Sequence, residues 1–249
     1  MNTRAVANEF AKMRHLRVGV IAVAMVVAVL GLSLFTIVSS PDFDPDSPAA
    51  WNGLLAGMSL AIPLVFPLLL AVLASRQTDI EHQGNGWLLQ ATSGLTPGGV
   101  CRAKLITLGI VVAAITAGTS LLVLVAGKLL AGILAPIPFA HWVGFTGCML
   151  VINLVVLALH ILLSAKIDNQ LVALGIGVLG SVLAVFSQGL PAAAAHLTPW
   201  GYYALARAAD YAASGYVAIP LSYPSIAALA LVVAVFFLIT TGRFDRQEA

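Results

Sequence analysis

Six long apolar runs constrain this chain more than any other feature of its sequence. They cover residues 17–39, 51–75, 105–126, 143–165, 171–187 and 225–241, and none carries Asp, Glu, Lys or Arg in its middle. A helix of about 20 apolar residues crosses the ~30 Å hydrocarbon core of a bilayer. Only 9% of the 249 residues are charged, against about 25% in soluble domains. We therefore predict an all-α integral membrane protein, a single domain over residues 1–249 with six transmembrane helices.

The distribution of Lys and Arg predicts the orientation of these spans, because basic residues concentrate in cytoplasmic segments. If both chain ends are cytoplasmic, the outer segments hold only Lys128 and Arg207. The inner segments then hold the other ten basic residues, which are Arg4, Lys12, Arg14, Arg17, Arg76, Arg102, Lys104, Lys166, Arg243 and Arg246. This imbalance predicts that the N and C termini are both cytoplasmic.

Residues 1–17 combine four basic side chains with apolar residues at helical spacing, the pattern of an amphipathic helix that lies at the membrane surface. An equally good interpretation is a basic flank that only orients the first span. The apolar run that follows is longer than the roughly 7–15 residues of a signal peptide core, so we expect it to be retained as a span.

The most polar internal segment is the predicted loop 76–104 between the second and third spans. Its middle carries the apolar patch Trp87-Leu88-Leu89, preceded by the helix-breaking run 84–86. We expect a short helix from Trp87 to Thr92, and a new helix capped by the Thr96 hydroxyl with Pro97 at its first position. We interpret the patch as a docking contact for a soluble partner; a simple interfacial anchor is the alternative.

Residues 188–224 form a long outer connection that is too weakly apolar to span the bilayer. Its alanines predict a helix from Ala204 to Ala213, and its aromatic residues suit a membrane interface. We expect a re-entrant segment of short helices that enters the outer leaflet and returns. Backbone at that depth must be buried in protein or face water.

Recognisable catalytic chemistry is missing from the sequence. We find no G-x-x-x-x-G-K-[ST] phosphate loop, no H-E-x-x-H zinc motif and no G-x-S-x-G nucleophile elbow, and we predict no cofactor, metal or nucleic acid for this chain. Asn153 and His160 are polar residues within a span; each could line a substrate path, but helix packing is the favoured role. Gly53-x-x-x-Gly57 permits close helix approach, within the chain or between copies of it.

The central loop also carries a set of residues that resembles a known family. These are Glu81-His82-Gln83, Trp87-Leu88-Leu89, Pro97 and Arg102-x-Lys104-Leu105. With a basic N-terminal helix and six spans, the pattern resembles the membrane permease subunits of ABC-2 type transporters. It is most similar to those of lantibiotic immunity and bacitracin-type peptide export, which implies resistance to antimicrobial peptides.

The resemblance implies an ABC-2 (type V exporter-like) architecture in the bacterial cytoplasmic membrane. Two permease chains, identical or homologous, would pair above two copies of a separate ABC ATPase that carries the ATP and Mg. The loop after span 2 would be the coupling helix, and an amphipathic or hydrophobic substrate would move outward. We hypothesise that the ATPase contacts five residues of this chain, Glu81, His82, Trp87, Leu88 and Leu89. Arg102 and Lys104 would orient the loop.

Two functions of other classes stay open at this stage. A membrane scaffold or sensor that transports nothing would fit the same spans. A membrane-embedded enzyme fits less well, because His160 and Cys148 do not form a cluster of catalytic residues at one depth.

Overall fold

The computed structural model describes residues 3–13, 18–41, 43–213 and 215–247. The ends of the predicted amphipathic helix, with Arg14 and Arg17, therefore lie outside the described residues. What is described of that helix is its central part, Thr3–Met13.

Six helices in the described ranges are long and apolar enough to cross a membrane, which confirms the predicted all-α membrane protein with six spans. The six long helices are α2 (Val18–Val38), α3 (Ala49–His82), α5 (Pro97–Leu129), α6 (Phe139–Lys166), α7 (Gln170–Phe186) and α10 (Tyr223–Gln247). The N-terminal helix is α1 (Thr3–Met13), and the helix between the second and third spans is α4 (Gly86–Thr92). Between α7 and α10 lie the short helices α8 (Ala192–Ala195) and α9 (Tyr202–Leu205) and the strands β1 (Ala209–Ala212) and β2 (Gly215–Ala218).

The predicted loop 76–104 is much shorter in the structure, because helices extend into it from both sides. α3 continues beyond Ser75 to His82, and α5 already begins at Pro97. Gly84 (φ 66°) and Asn85 (φ 58°) adopt the left-handed conformation that stops the helix. The predicted cap is present, since the Thr96 hydroxyl accepts a hydrogen bond from the Gly99 amide at 3.2 Å.

Helix α3 occupies the centre of the bundle and packs against α2, α6 and α7. It is far more buried than α2, which faces outward over most of its length. At the outer end of α3, Trp51 packs edge-on against Trp142 of α6 with ring centroids 5.7 Å apart. Its indole N–H donates to the Ala135 carbonyl at 3.0 Å, so the apolar core is closed at this end by a hydrogen-bonded tryptophan.

The glycines of the Gly53-x-x-x-Gly57 motif lie against α2 inside the chain. A Cβ on Gly57 would lie 2.8 Å from the Ser33 Cα, and one on Gly53 would clash with the Ile37 side chain. Both glycines are buried. This face is thus occupied by α2 and is not free to contact a second copy of the chain.

The outer connection contradicts the predicted helix from Ala204 to Ala213. Helix α9 ends at Leu205, and the following residues form an antiparallel hairpin in which Tyr211 pairs with Tyr216. Helix propensity is a weak preference that tertiary contacts override. Here the Ala208 amide donates to the Ser59 hydroxyl at 3.2 Å and its carbonyl accepts from His141 at 2.8 Å, so the backbone is bound to α3 and α6.

The same connection descends along α6 to the middle of that helix. The Tyr203 hydroxyl donates to Asn153 Oδ1 at 2.6 Å, and Asn153 Nδ2 donates to the Thr116 hydroxyl at 3.1 Å. Tyr203 and Asn153 are completely buried. Tyr203 lies in the short helix α9, so the connection reaches this depth as a helical turn whose buried hydroxyl has a hydrogen-bond partner, as the absence of water in a bilayer requires.

A proline in α3 provides the anchor for the start of this connection. Pro63 has no N–H, so it leaves the Ser59 carbonyl, four residues earlier, without its helical donor. Gln188 Nε2 donates to that carbonyl at 3.0 Å. The outer connection thus satisfies a backbone acceptor that the proline exposes.

We predict that Gly57→Ala lowers the free energy of unfolding by about 1–3 kcal/mol, because the added methyl group pushes α2 away from α3. Gly31→Ala is the matched control, since a Cβ at Gly31 has no atom within 4 Å and alanine favours the helix. Thermal unfolding in detergent, followed by circular dichroism, measures both. Equal effects of the two substitutions would contradict the close approach.

We predict that Gln188→Leu destabilises the fold by about 1–3 kcal/mol, because it leaves the buried Ser59 carbonyl without a donor. The cost should shrink in a Pro63→Ala background, where an amide at position 63 can donate to Ser59. A double-mutant cycle on the same unfolding signal checks this. Additive effects would show that the proline and the glutamine act independently.

Candidate functional site

A buried group of charges joins α1, α3 and α5 at the end of the bundle where α4 lies; we call Glu9, Lys12, Glu81 and Lys104 the ionic cluster. Lys104 Nζ lies 2.7 Å from Glu9 Oε2 and 2.8 Å from Glu81 Oε1. Lys12 Nζ bridges the same two carboxylates, at 2.6 Å from each. Two ammonium groups thus alternate with two carboxylates, so the cluster has no net formal charge.

Burial makes the cluster sensitive to the loss of any member. Lys104 is 0% exposed, and Glu9 and Glu81 are each 2% exposed. Lys104 also donates to the Gln77 carbonyl at 2.8 Å, and Gln77 Nε2 donates to Glu9 Oε2 at 2.8 Å. Removing one partner of a buried ion pair leaves an uncompensated charge, which costs about 3–5 kcal/mol.

Lys12 is the member of the cluster nearest to solvent. Desolvation lowers the pKa of Lys12, but its hydrogen bonds to Glu81 and Glu9 outweigh this and raise the pKa above its ordinary value of 10.5. A raised folded-state pKa adds stability that is fully present below 10.5 and is lost as the pH rises through the folded-state value. The Lys12 contribution therefore persists throughout the neutral range.

Helix α4 is attached to this cluster and to α6 by polar side chains. Gln90 Nε2 donates to Glu81 Oε2. Trp87 Nε1 donates to His82 Nδ1 at 3.3 Å, so His82 Nε2 carries the proton that it donates to the Ser164 carbonyl of α6 at 2.7 Å. The two attachments fix both ends of α4 relative to the spans.

The outward side of α4 is apolar. Leu88 and Leu89 are 64% and 63% exposed, whereas Trp87 is half-buried against His82. A cleft of about 290 Å³ separates α4 from α1, with Asn8 and Lys12 on one side and Ser93 on the other. An exposed leucine pair beside a polar cleft is a surface to which another protein can bind.

Arg102 joins the second turn of α5 to the end of α10. Its Nη2 lies 2.9 Å from Asp245 Oδ2, and its Nη1 donates to the Thr241 hydroxyl at 3.1 Å. Gly98 lies directly against Thr241 and Asp245, where any side chain would clash. The C-terminal helix is therefore bound to the same end of the bundle as the ionic cluster.

The seven predicted coupling residues lie in four different settings in the structure. Leu88 and Leu89 are exposed on α4, and Trp87 and His82 connect α4 to the bundle. Glu81 was expected to contact a partner, but its burial excludes a direct contact in this conformation, because its carboxylate is surrounded by Lys12, Lys104 and Gln90. Arg102 and Lys104 lie where they can orient the loop.

Four residues of this site were not found from the sequence, namely Glu9, Lys12, Gln77 and Gln90. The sequence feature that could have indicated a buried ion pair was Glu9, the single acidic residue of the basic segment 1–17. It faces the bundle, so the buried side of α1 contains a charge as well as apolar residues.

The two predicted in-span polar residues are both buried. Asn153 uses its amide in the contacts with Tyr203 and Thr116, which is the packing role favoured from the sequence. His160 lies edge-on to Trp200 with ring centroids 6.4 Å apart, and its ring nitrogens have no hydrogen-bond partner among the described residues.

Comparison with known families identifies the class of protein to which this bundle corresponds. The family model described as ABC-2 family transporter protein matches residues 5–184, from within α1 to two residues before the end of α7. The chain belongs to the ABC-2 transporter family. It is accordingly a multi-pass membrane component of an ABC transporter, a family whose members work with an ABC ATPase and are usually non-catalytic. No curated protein matches the chain.

The matched region of this ABC-2 permease contains the whole ionic cluster and α4. The hairpin and α10 lie beyond residue 184. The family assignment therefore covers the ionic cluster, α4 and five of the six spans.

We predict that Lys104→Met destabilises the permease by about 3–5 kcal/mol, because it leaves two buried carboxylates with one ammonium group. Adding Glu9→Gln restores a neutral pair of Lys12 and Glu81, so the double variant should be more stable than Lys104→Met alone. Chemical unfolding in detergent measures both variants. A double variant less stable than Lys104→Met would contradict the charge balance described here.

Proposed function

We propose that the permease is driven by a separate ABC ATPase that docks on Leu88 and Leu89 of α4. The observation that supports this most is the exposure of an apolar pair on a short helix that polar contacts hold against the spans. A partner that covers an exposed leucine side chain gains about 1.5–3 kcal/mol from its burial.

The polar contacts behind α4 give a path for mechanical work in this proposal. A push on α4 acts on Glu81 through Gln90 and on α6 through Trp87 and His82. Glu81 shares its two lysines with Glu9, so α1, α3 and α5 move with α4. Helices joined by buried ion pairs transmit displacement, because the movement of one helix alone would leave a charge without its partner.

The composition of the spans supports an external source of energy. No Asp, Glu, Lys or Arg occurs in the middle of any of the six apolar runs. Transporters driven by protons or ions usually carry such residues at depth. In the proposed mechanism ATP and Mg bind the ATPase, and this chain supplies the pathway.

The remaining parts of the proposal concern assembly and substrate. Two permease chains, identical or homologous, pair above two ATPase copies in a bacterial cytoplasmic membrane. The apolar spans favour an amphipathic or hydrophobic substrate, such as an antimicrobial peptide, a drug or a lipid-like molecule, which moves outward. A role in lantibiotic immunity belongs to this proposal and is supported by the loop pattern alone.

We predict that Leu88→Asp combined with Leu89→Asp reduces co-purification of the ATPase about tenfold or more, because each buried leucine contributes about 1.5–3 kcal/mol. The tagged chain is purified in mild detergent, and ATPase protein and ATP hydrolysis are measured in the eluate. The matched control is Leu129→Asp with Leu130→Asp, a second exposed leucine pair at the opposite end of α5.

The control variant should retain the ATPase, and circular dichroism should show the same helix content in both variants. If the α4 variant retains the ATPase at the wild-type level, the docking surface is not Leu88 and Leu89. If the wild-type chain itself purifies without any ATPase, the proposed drive loses its support.

A further inference from the structure

An apolar groove runs along the outside of the bundle between α5, α6 and α10. Its volume is about 750 Å³, and Arg102 is the single charged residue among the described residues that line it. Small residues make the groove deep, with Gly109 and Ala113 on α5, Ala158 on α6, and Ala230 and Ala234 on α10. Larger side chains, including Phe237, Leu238 and Ile110, form its walls.

The length of the groove matches the thickness of one membrane leaflet. On α5 its lining extends from Arg102 to Ala113, which at 1.5 Å per residue is about 16 Å. Half of the ~30 Å hydrocarbon core is about 15 Å. Arg102 lies at the cytoplasmic end and Ala113 near the middle of the bilayer, so the groove traverses the inner leaflet.

The cytoplasmic end of the groove carries excess positive charge. Arg102 uses one N–H of each terminal nitrogen for Thr241 and Asp245, and its side chain remains 34% exposed. A guanidinium has five N–H donors, so further donors can bind an anion. Outside the ionic cluster, the charged residues at this end of the described parts of α5, α6 and α10 are the cations Arg102, Lys166, Arg243 and Arg246 and the carboxylate Asp245.

We propose that the groove binds one acyl chain of an anionic phospholipid from the cytoplasmic leaflet, with its phosphate at Arg102. The length of the groove fits one leaflet, its lining fits hydrocarbon, and its cationic end fits the headgroup. A second copy of this chain is a poorer occupant. A two-fold interface would bring the same cationic end against itself, and like charges repel.

Asp245 sets the strength of this lipid site. Its carboxylate already neutralises part of the Arg102 charge at 2.9 Å. Substitution of Asp245 by Asn should therefore tighten binding of an anionic headgroup, whereas Arg102→Gln should weaken it. Opposite signs for two neighbouring residues distinguish headgroup binding from a general loss of structure.

The test uses the full chain purified in detergent, without an ATPase, and native mass spectrometry of bound lipid. Phosphatidylglycerol and phosphatidylcholine with identical acyl chains are titrated separately. We expect one phosphatidylglycerol per chain to bind at least about tenfold more tightly than phosphatidylcholine, and Arg102→Gln to abolish most of that preference, as the loss of a charge-assisted hydrogen bond requires.

A variant that fills the groove separates the acyl chain from the headgroup. Ala113→Leu with Ala234→Leu should reduce phosphatidylglycerol binding about tenfold while Arg102 is unchanged. Ala114→Leu, the neighbouring exposed residue on α5, is the control and should bind as the wild type does.

Two results would overturn the proposal. Unchanged lipid binding by the filled variant would place the lipid elsewhere on the chain. A lipid-free dimer that the filled variant converts to a monomer would assign the groove to a second copy of the chain. Neither result bears on ATPase docking at α4, which is measured in a separate experiment.

Discussion

The cytoplasmic end of this permease depends on a single buried ammonium group. Lys104 has no exposed surface, and its three donors are used by Glu9, Glu81 and the Gln77 carbonyl. These acceptors belong to α1 and α3, so Lys104 of α5 joins three helices that lie far apart in the sequence. The arrangement specifies one geometry, because any displacement leaves a charge without its partner in a region of low polarity.

The opposite end of α3 is organised by neutral hydrogen bonds. The Ser59 carbonyl accepts a hydrogen bond from the Gln188 side chain, and the Ser59 hydroxyl accepts one from the Ala208 amide. A single residue of α3 therefore holds both the start and the middle of the outer connection. Helix α3 is continuous from Ser59 to Glu81, so it links these hydrogen bonds directly to the ionic cluster.

The fold could be predicted from the sequence to the extent that it depends on local patterns. Apolar runs gave the six spans, and Thr96-Pro97 gave the start of α5. The ionic cluster could not be predicted in this way, because Glu9, Glu81 and Lys104 lie far apart in sequence and meet only when α1 packs on the bundle. The hairpin was missed for a similar reason: Ala208 and Ala209 favour a helix locally, but the chain there is bound to α3 and α6.

The spacing of the ionic cluster along the chain also has a consequence for synthesis. Glu9 is made 95 residues before Lys104, and at about 5–20 residues per second this separation corresponds to roughly 5–20 s. During that time α2 and α3 can enter the bilayer, and Gln77 and Glu81 of α3 can already bind Glu9 and Lys12 of α1, but Lys104 is not yet present. The ionic cluster is therefore completed only after the first part of α5 has left the ribosome, when α2 and α3 have already been made.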